Sequence, residues 1–210
     1  MRVAVLASGA GTNLQALLDQ VHGRDGIEVV AVASDKSEAP ALERARRAGV
    51  AVGVFERREF GGREERDRAM ADWLAARGAE LVVLAGYMQL LSNEFLARFP
   101  DRVINVHPAL LPAFPGLTPV QDALAYGVKV FGVTVHFVDG GVDSGPVILQ
   151  RPVEVPNAVD PETVLERLHP VEHELLPEAV RLIARGAVSF DPANPRRVVI
   201  APEAGRRAGS

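Results

Sequence analysis

Asparagine and histidine stand two residues apart in "INVHPALLPAFPG" (104–116), as Asn105 and His107, at the end of an apolar run. On a strand, alternate residues share a face, so these two side chains point the same way and Val106 takes the other. A third polar group, Asp143, lies in the glycine-dense "DGGVDSGP" (139–146), a loop able to swing a carboxylate toward a histidine. Such a trio has defined uses. A histidine titrating near neutrality carries protons, and a neighbouring carboxylate favours its imidazolium form. An amide N–H can hydrogen-bond an oxyanion forming at an attacked carbonyl. The residues alone leave a second reading open: a satisfied structural histidine, an asparagine bonded to loop backbone, and Asp143 in an Asx-turn. His136, alternating within "VTVHFV", reads as structural. No serine or cysteine sits in a nucleophile elbow, which disfavours a covalent acyl-enzyme. The histidines are scattered, only His169 and His173 standing four apart, and no metal is expected.

A second candidate is the turn "SGAGTNLQ" (8–15). Glycines permit a tight turn and close backbone approach, and the following helix offers unpaired N–H groups at its positive dipole end, together an anion site. The pattern lacks the third glycine of a dinucleotide fingerprint and the Lys-Ser/Thr of a P-loop, and Ser34 and Asp35 come late for a ribose acid. A single phosphate therefore fits better than a dinucleotide. A plain β–α turn, with Thr12 or Asn13 as N-cap, is the alternative.

The surrounding pattern says how these groups are held. "RVAVLAS" (2–8), "IEVVAVAS" (27–34), "VAVGVF" (50–55), "ELVVLAG" (80–86) and "RVINVH" (102–107) are short apolar runs suited to strands buried on both faces. Segments with helical spacing that end in glycine lie between the first four, and a short helix near "SNEFLARF" precedes the fifth. This predicts an α/β fold: an open, mostly parallel Rossmann-like sheet with helices on both faces. After the proline-rich loop, "VQDALAYG" reads as a helix, and "KVFGVTVHFV" (129–138) and "GPVILQRPVEV" (145–155) as two antiparallel strands extending the sheet. A long amphipathic helix is predicted over 161–185. Residues 1–190 read as one domain, with 1–100 and 101–190 as its two halves. The tail, 191–210, reads as a short strand or two and a frayed end. In such sheets ligands collect beyond the carboxyl ends of the strands, where Asn105, His107 and the glycine turn fall.

Composition narrows the function. The 210 residues are 48% hydrophobic, enough for a full core, and the net charge of −4 gives no footprint for nucleic acid. There is no cysteine, which fits a cytoplasmic protein. The apolar run after Arg2 is too short for a signal segment or membrane span.

Taken together, the motifs resemble a known family. "VAVLASGAGTNLQALLD", "VVLAGYMQLLS", "INVHPALLPAFPG", "GVTVHFVDGGVDSGPVILQ" and "VEHELLP" follow the order and spacing of the folate-dependent phosphoribosylglycinamide formyltransferases. The resemblance runs from residue 2 to about 190. It implies transfer of a formyl group from 10-formyltetrahydrofolate, as cosubstrate, to the amine of glycinamide ribonucleotide. It matches Asn105, His107 and Asp143 to the catalytic trio. Gly11, Thr12 and Asn13 match the turn that holds the ribonucleotide phosphate, and Glu172 a residue that grips its ribose, with His169, Pro170 and Val171 beside it. Arg63, Met88, Gln89, Leu90 and Leu91, with Asp139, Gly140, Gly141, Val142 and Asp143, match segments around the folate, and Asn105 faces the same ligand. Two departures stand out: "LTPVQDAL", after Gly116, offers no basic phosphate ligand, and Ala109 replaces a common serine. The resemblance implies small-molecule substrates, no nucleic-acid or membrane partner, and a monomer or homodimer.

Methionyl-tRNA formyltransferases share the N-x-H and the distant Asp, but normally carry a further RNA-binding domain. A 10-formyltetrahydrofolate hydrolase would use the same trio with water as acceptor, usually behind a regulatory domain. A non-catalytic phosphate sensor would need the glycine turn and leave the trio unexplained.

Overall fold

In the computed structural model, which describes residues 1–202, the chain begins with the predicted alternation. Strand β1 (Arg2–Leu6) leads to helix α1 (Thr12–Gln20), β2 (Glu28–Ser34), α2 (Pro40–Arg47), β3 (Ala51–Val54), α3 (Arg63–Ala75), β4 (Leu81–Leu84), α4 (Asn93–Arg98) and β5 (Val103–His107). After the proline-rich loop come α5 (Pro119–Tyr126), β6 (Val130–Phe137), β7 (Val147–Glu154) and the long α6 (Pro161–Ala184). These strands form one sheet in the order β3-β2-β1-β4-β5-β6-β7. The first five pair in parallel, and β6 and β7 add on antiparallel, as expected.

Burial explains why these runs became strands. Val3 and Val5 of β1 face one layer and Ala4 and Leu6 the other, and all four are fully buried. The first layer is filled from α1, α2, α5 and α6, through Leu17, Leu42, Val120 and Leu176 among others. The second is filled from α3 and α4, through Met70, Leu74 and Phe95, and by Phe99 just past α4. A strand with helices on both faces has no solvated side, so alternation disappears and near-continuous valine replaces it. In β5 the pattern breaks where chemistry begins. Ile104 and Val106 enter the first layer, while Asn105 and His107 turn to the second face.

Helix α6 contains two prolines, Pro170 and Pro177. Proline has no N–H to give the carbonyl four residues back, which strands the His173 carbonyl. Gln20, at the end of α1, fills that place: its Nε2 donates to His173 O at 2.9 Å. The helix start is capped by Asp160, which accepts from the Thr163 amide at 2.8 Å.

Two further strands follow α6. Strands β8 (Val188–Asp191) and β9 (Asn194–Ile200) form a separate antiparallel hairpin. It packs Phe190 on Phe137, ring centroids 5.0 Å apart, and the Arg196 guanidinium donates to the Ser144 carbonyl at the foot of the Asp143 loop. The frayed end expected for the tail falls on residues 203–210, outside the described residues.

That loop rejoins the sheet at Gly145, where an added Cβ would lie 1.7 Å from the Phe137 carbonyl oxygen. Backbone cannot yield as a flexible side chain can, so Gly145→Ala is expected to cost about 1–3 kcal/mol in urea unfolding. An unchanged midpoint and slope would contradict this contact.

Candidate active site

The strand order reverses at β1 and β4: β2 and β3 build outward on one side, β4 to β7 on the other. The loops leaving the carboxyl ends of these two neighbours must diverge, which opens a crevice there. It is a cleft of about 690 Å³. Gly11, Thr12, Asn13, His169 and Glu172 line it, as do Arg63, Met88, Gln89, Leu90 and Leu91. Asn105, His107 and Asp139 to Asp143 complete the predicted residues found on its wall. Pro170 and Val171 are not on it. Pro170 is exposed and Val171 packs on the core, because successive residues of a helix point in different directions.

At the centre, the Asp143 carboxylate joins the trio. Its Oδ2 lies 3.4 Å from His107 Nδ1 and accepts the Gly116 amide at 2.8 Å. Its Oδ1 accepts from Asn105 Nδ2 at 3.3 Å and stands 3.6 Å from His136 Nε2. Asp143 has φ of 48°, a left-handed conformation that aspartate tolerates better than most residues. The Asx-turn of this loop belongs instead to Asp139, which accepts from the Gly141 amide and the Ser144 hydroxyl.

Hydrogen-bond logic assigns the protons. His107 Nε2 is 2.9 Å from the Phe114 carbonyl, which can only accept, so Nε2 carries the hydrogen. Nδ1 then presents a lone pair to a carboxylate. Full satisfaction of both sides requires the imidazolium. Burial opposes it and prevails: desolvation holds the His107 pKa below the usual histidine value despite the pull of Phe114 O and Asp143. For Asp143 the balance is reversed. Burial pushes the carboxyl up, but the nearness of His136, the Gly116 amide and the positive charge either histidine can take up outweigh it, so its pKa is depressed and it stays ionised.

His136, read from sequence as structural, belongs to this cluster. It pairs opposite Asn105 in the β5–β6 register. Its Nδ1 gives its proton to the Phe137 carbonyl at 2.8 Å, leaving Nε2 to accept from Asn105 Nδ2 at 3.2 Å. The ring thereby fixes which way the Asn105 amide points. Alternation showed the face of His136 but not its register partner, so sequence offered no signal for this contact. Thr134 was missed for the same reason. Fully buried, it donates to Ala109 O at 2.7 Å and accepts the Leu111 amide at 3.1 Å, tying down the proline loop. Gln150 adds a bond from Nε2 to Leu111 O at 2.7 Å. The Leu111–Pro112 bond in that loop is cis.

The glycine turn lines the same cleft. The N-cap of α1 is Gly11, at φ 72°, rather than Thr12 or Asn13, and no side chain caps the helix. A Cβ on Gly11 would lie 2.7 Å from that of Ala41, so the turn requires glycine twice over. Asn13 reaches into the cleft and donates from Nδ2 to Glu172 Oε2 at 2.9 Å, while its Oδ1 is buried without a partner. Helix α1 therefore presents unpaired N–H groups and a spare amide oxygen toward the same space. Asp35 is engaged elsewhere, accepting the Ser8 hydroxyl at 2.5 Å. Burial raises the Glu172 pKa, against the hydrogen bond from Asn13 and the charge of His169.

A doubly wound sheet with its cleft at the strand reversal defines a Rossmann-like α/β protein. Comparison with known proteins narrows this: the formyl transferase family matches residues 1–180, and the chain belongs to that family. It is 47% identical over 188 residues to the phosphoribosylglycinamide formyltransferase of Mycobacterium tuberculosis, covering 90% of this chain and 87% of that protein. It is 43% identical to a trifunctional purine biosynthetic protein of Drosophila pseudoobscura, over 89% of this chain and 14% of that one. Its fold matches the crystal structure of a Symbiobacterium toebii glycinamide ribonucleotide transformylase with a TM-score of 0.92 at 47% identity, covering 96% of this chain and 94% of that one.

The raised pKa of Glu172 has a consequence for stability. An ionised carboxylate there opposes folding once pH rises through its elevated value. The penalty vanishes below about 4.5, where the unfolded chain is protonated too. Glu172→Gln keeps an oxygen for Asn13 and removes the charge. It is expected to raise Tm at pH 7 by roughly 2–4 °C, with the gain fading toward pH 4. A lower Tm at pH 7 would contradict the assigned burial penalty.

Proposed function

We infer that this protein transfers the formyl group of 10-formyltetrahydrofolate to the amine of glycinamide ribonucleotide in purine biosynthesis, releasing tetrahydrofolate. One observation carries the reading. Asn105, His107 and Asp143, from a strand and a distant loop, converge on the wall of a cleft that an anion-ready helix start also lines. Gly11, Thr12 and Asn13 hold the ribonucleotide phosphate, with Glu172 and His169 on the ribose. Arg63, Met88 to Leu91 and Asp139 to Val142 surround the folate.

The neutral amine attacks the formyl carbon; a C–N bond forms and the carbonyl oxygen becomes an oxyanion. Asn105 and a protonated His107 donate N–H groups to that oxygen, His107 giving up the Phe114 carbonyl and Asn105 one of its present acceptors to do so. His107 is held neutral by burial while Asp143 pulls toward the imidazolium. A second negative charge beside the ring adds to that pull, so stabilisation is greatest as the oxyanion develops. The tetrahedral centre then collapses, the bond to the folate nitrogen breaks, and a proton lost by the amine ends on that nitrogen. No covalent enzyme intermediate is needed, and the rate comes from positioning and preorganised donors.

The direct test follows deformylation of 10-formyltetrahydrofolate with and without glycinamide ribonucleotide. Turnover that requires the ribonucleotide is expected; equal turnover without it would indicate a hydrolase, and none would overturn both. Asn105→Ala and His107→Ala should each lower kcat by about 10²-fold or more in protein that still folds, with some loss of Tm from the opened network. Near wild-type turnover in either folded variant would remove that residue from the mechanism.

A further inference from the structure

Beneath the segment Met88–Leu91 lies a buried ion pair that the mechanism above does not use. Arg66 is 1% and Asp67 0% exposed, adjacent on α3. The guanidinium donates from Nε and Nη2 to Asp67 Oδ1, at 2.9 and 2.6 Å. Adjacent helical residues do not normally face one another, so this pairing draws two side chains together under one stretch of loop. The remaining contacts show what they hold. Asp67 Oδ2 accepts the Ser92 amide at 2.6 Å, and Arg66 reaches the Leu90 carbonyl and Gln89 Oε1, each at 3.5 Å.

The same segment is pinned at its other end. The Met88 amide donates to the Ser8 hydroxyl at 3.0 Å, and that hydroxyl donates to Asp35. Between these anchors Met88 and Leu90 leave more than half their surface exposed on the cleft side. A loop with exposed apolar side chains above and two buried charges below is held by its underside.

A buried ion pair is a poor way to gain stability, since apolar residues of similar volume often serve as well or better. Its contacts point to another role. We propose that Arg66 and Asp67 are positioning residues for the formyl donor: they fix the Gln89–Ser92 backbone from beneath, presetting the wall against which the folate rests. This rests on the donor-binding reading of Met88 to Leu91 given above. The pair acts only through that backbone and touches no substrate.

Two variants separate positioning from structure. Arg66→Lys keeps a positive charge beside Asp67 but loses the fork that also reaches Leu90 and Gln89. Arg66→Met with Asp67→Asn removes both buried charges and retains an oxygen for the Ser92 amide. The expected result is a donor KM raised roughly tenfold in each, with kcat, the glycinamide ribonucleotide KM and Tm close to wild type. A folded variant with unchanged donor KM overturns the proposal, and Arg66→Lys decides alone if the double variant does not fold. If the wild type shows no donor turnover, the activity reading fails instead. Amide exchange over 88–91 then judges the clamp: faster exchange in Arg66→Lys supports it, and equal exchange overturns it.

Discussion

One carboxylate organises the centre of this molecule. Asp143 meets Asn105 and His107 from β5, His136 from β6 and the Gly116 amide from the proline loop. Each of these groups is constrained a second time: His107 by Phe114 O, His136 by Phe137 O, and the proline loop by Thr134 and Gln150. A buried polar network of this kind is costly when incomplete and rigid when satisfied. Here both histidine rings have backbone carbonyls fixing their tautomers, so the nitrogens turned toward Asp143 and Asn105 are oriented in advance. The tension between burial, which keeps His107 neutral, and Asp143, which draws a proton toward it, is what the proposed chemistry uses.

The rest of the fold brings three distant segments to that carboxylate. The strand reversal at β1 and β4 opens the crevice, and the antiparallel addition of β6 places His136 opposite Asn105. The hairpin β8–β9 braces the Asp143 loop through Arg196 and Phe190. Polar groups kept short of partners, such as Asn13 Oδ1, or pushed by burial toward the neutral form, such as Glu172, cluster on this cleft. A protein maximising stability alone would have no use for them there.

Much of this was legible in the sequence, for physical reasons. Strands buried on both faces must be apolar throughout, so β1, β2 and β4 announce themselves, and glycine marks the turns that need positive φ. Asn105 and His107 were visible because polar residues interrupt such a strand at its carboxyl end. Motif resemblance, rather than residue chemistry, singled out Arg63 and Glu172, which look like ordinary helix charges. His136, Thr134 and the Arg66–Asp67 pair were not legible, because their meaning depends on strand register and on which helix side lies beneath which loop. Nor could sequence show that Asn13 turns to Glu172 while Gly11 caps the helix.

The hub can be tested by following the His107 ring nitrogens by NMR across pH, in the wild type and in Asp143→Asn. The account predicts a neutral ring protonated at Nε2 at pH 7, titrating below 6.5, and a still lower value once the Asp143 charge is removed. A wild-type value above 6.5, or one indifferent to Asp143→Asn, would contradict it.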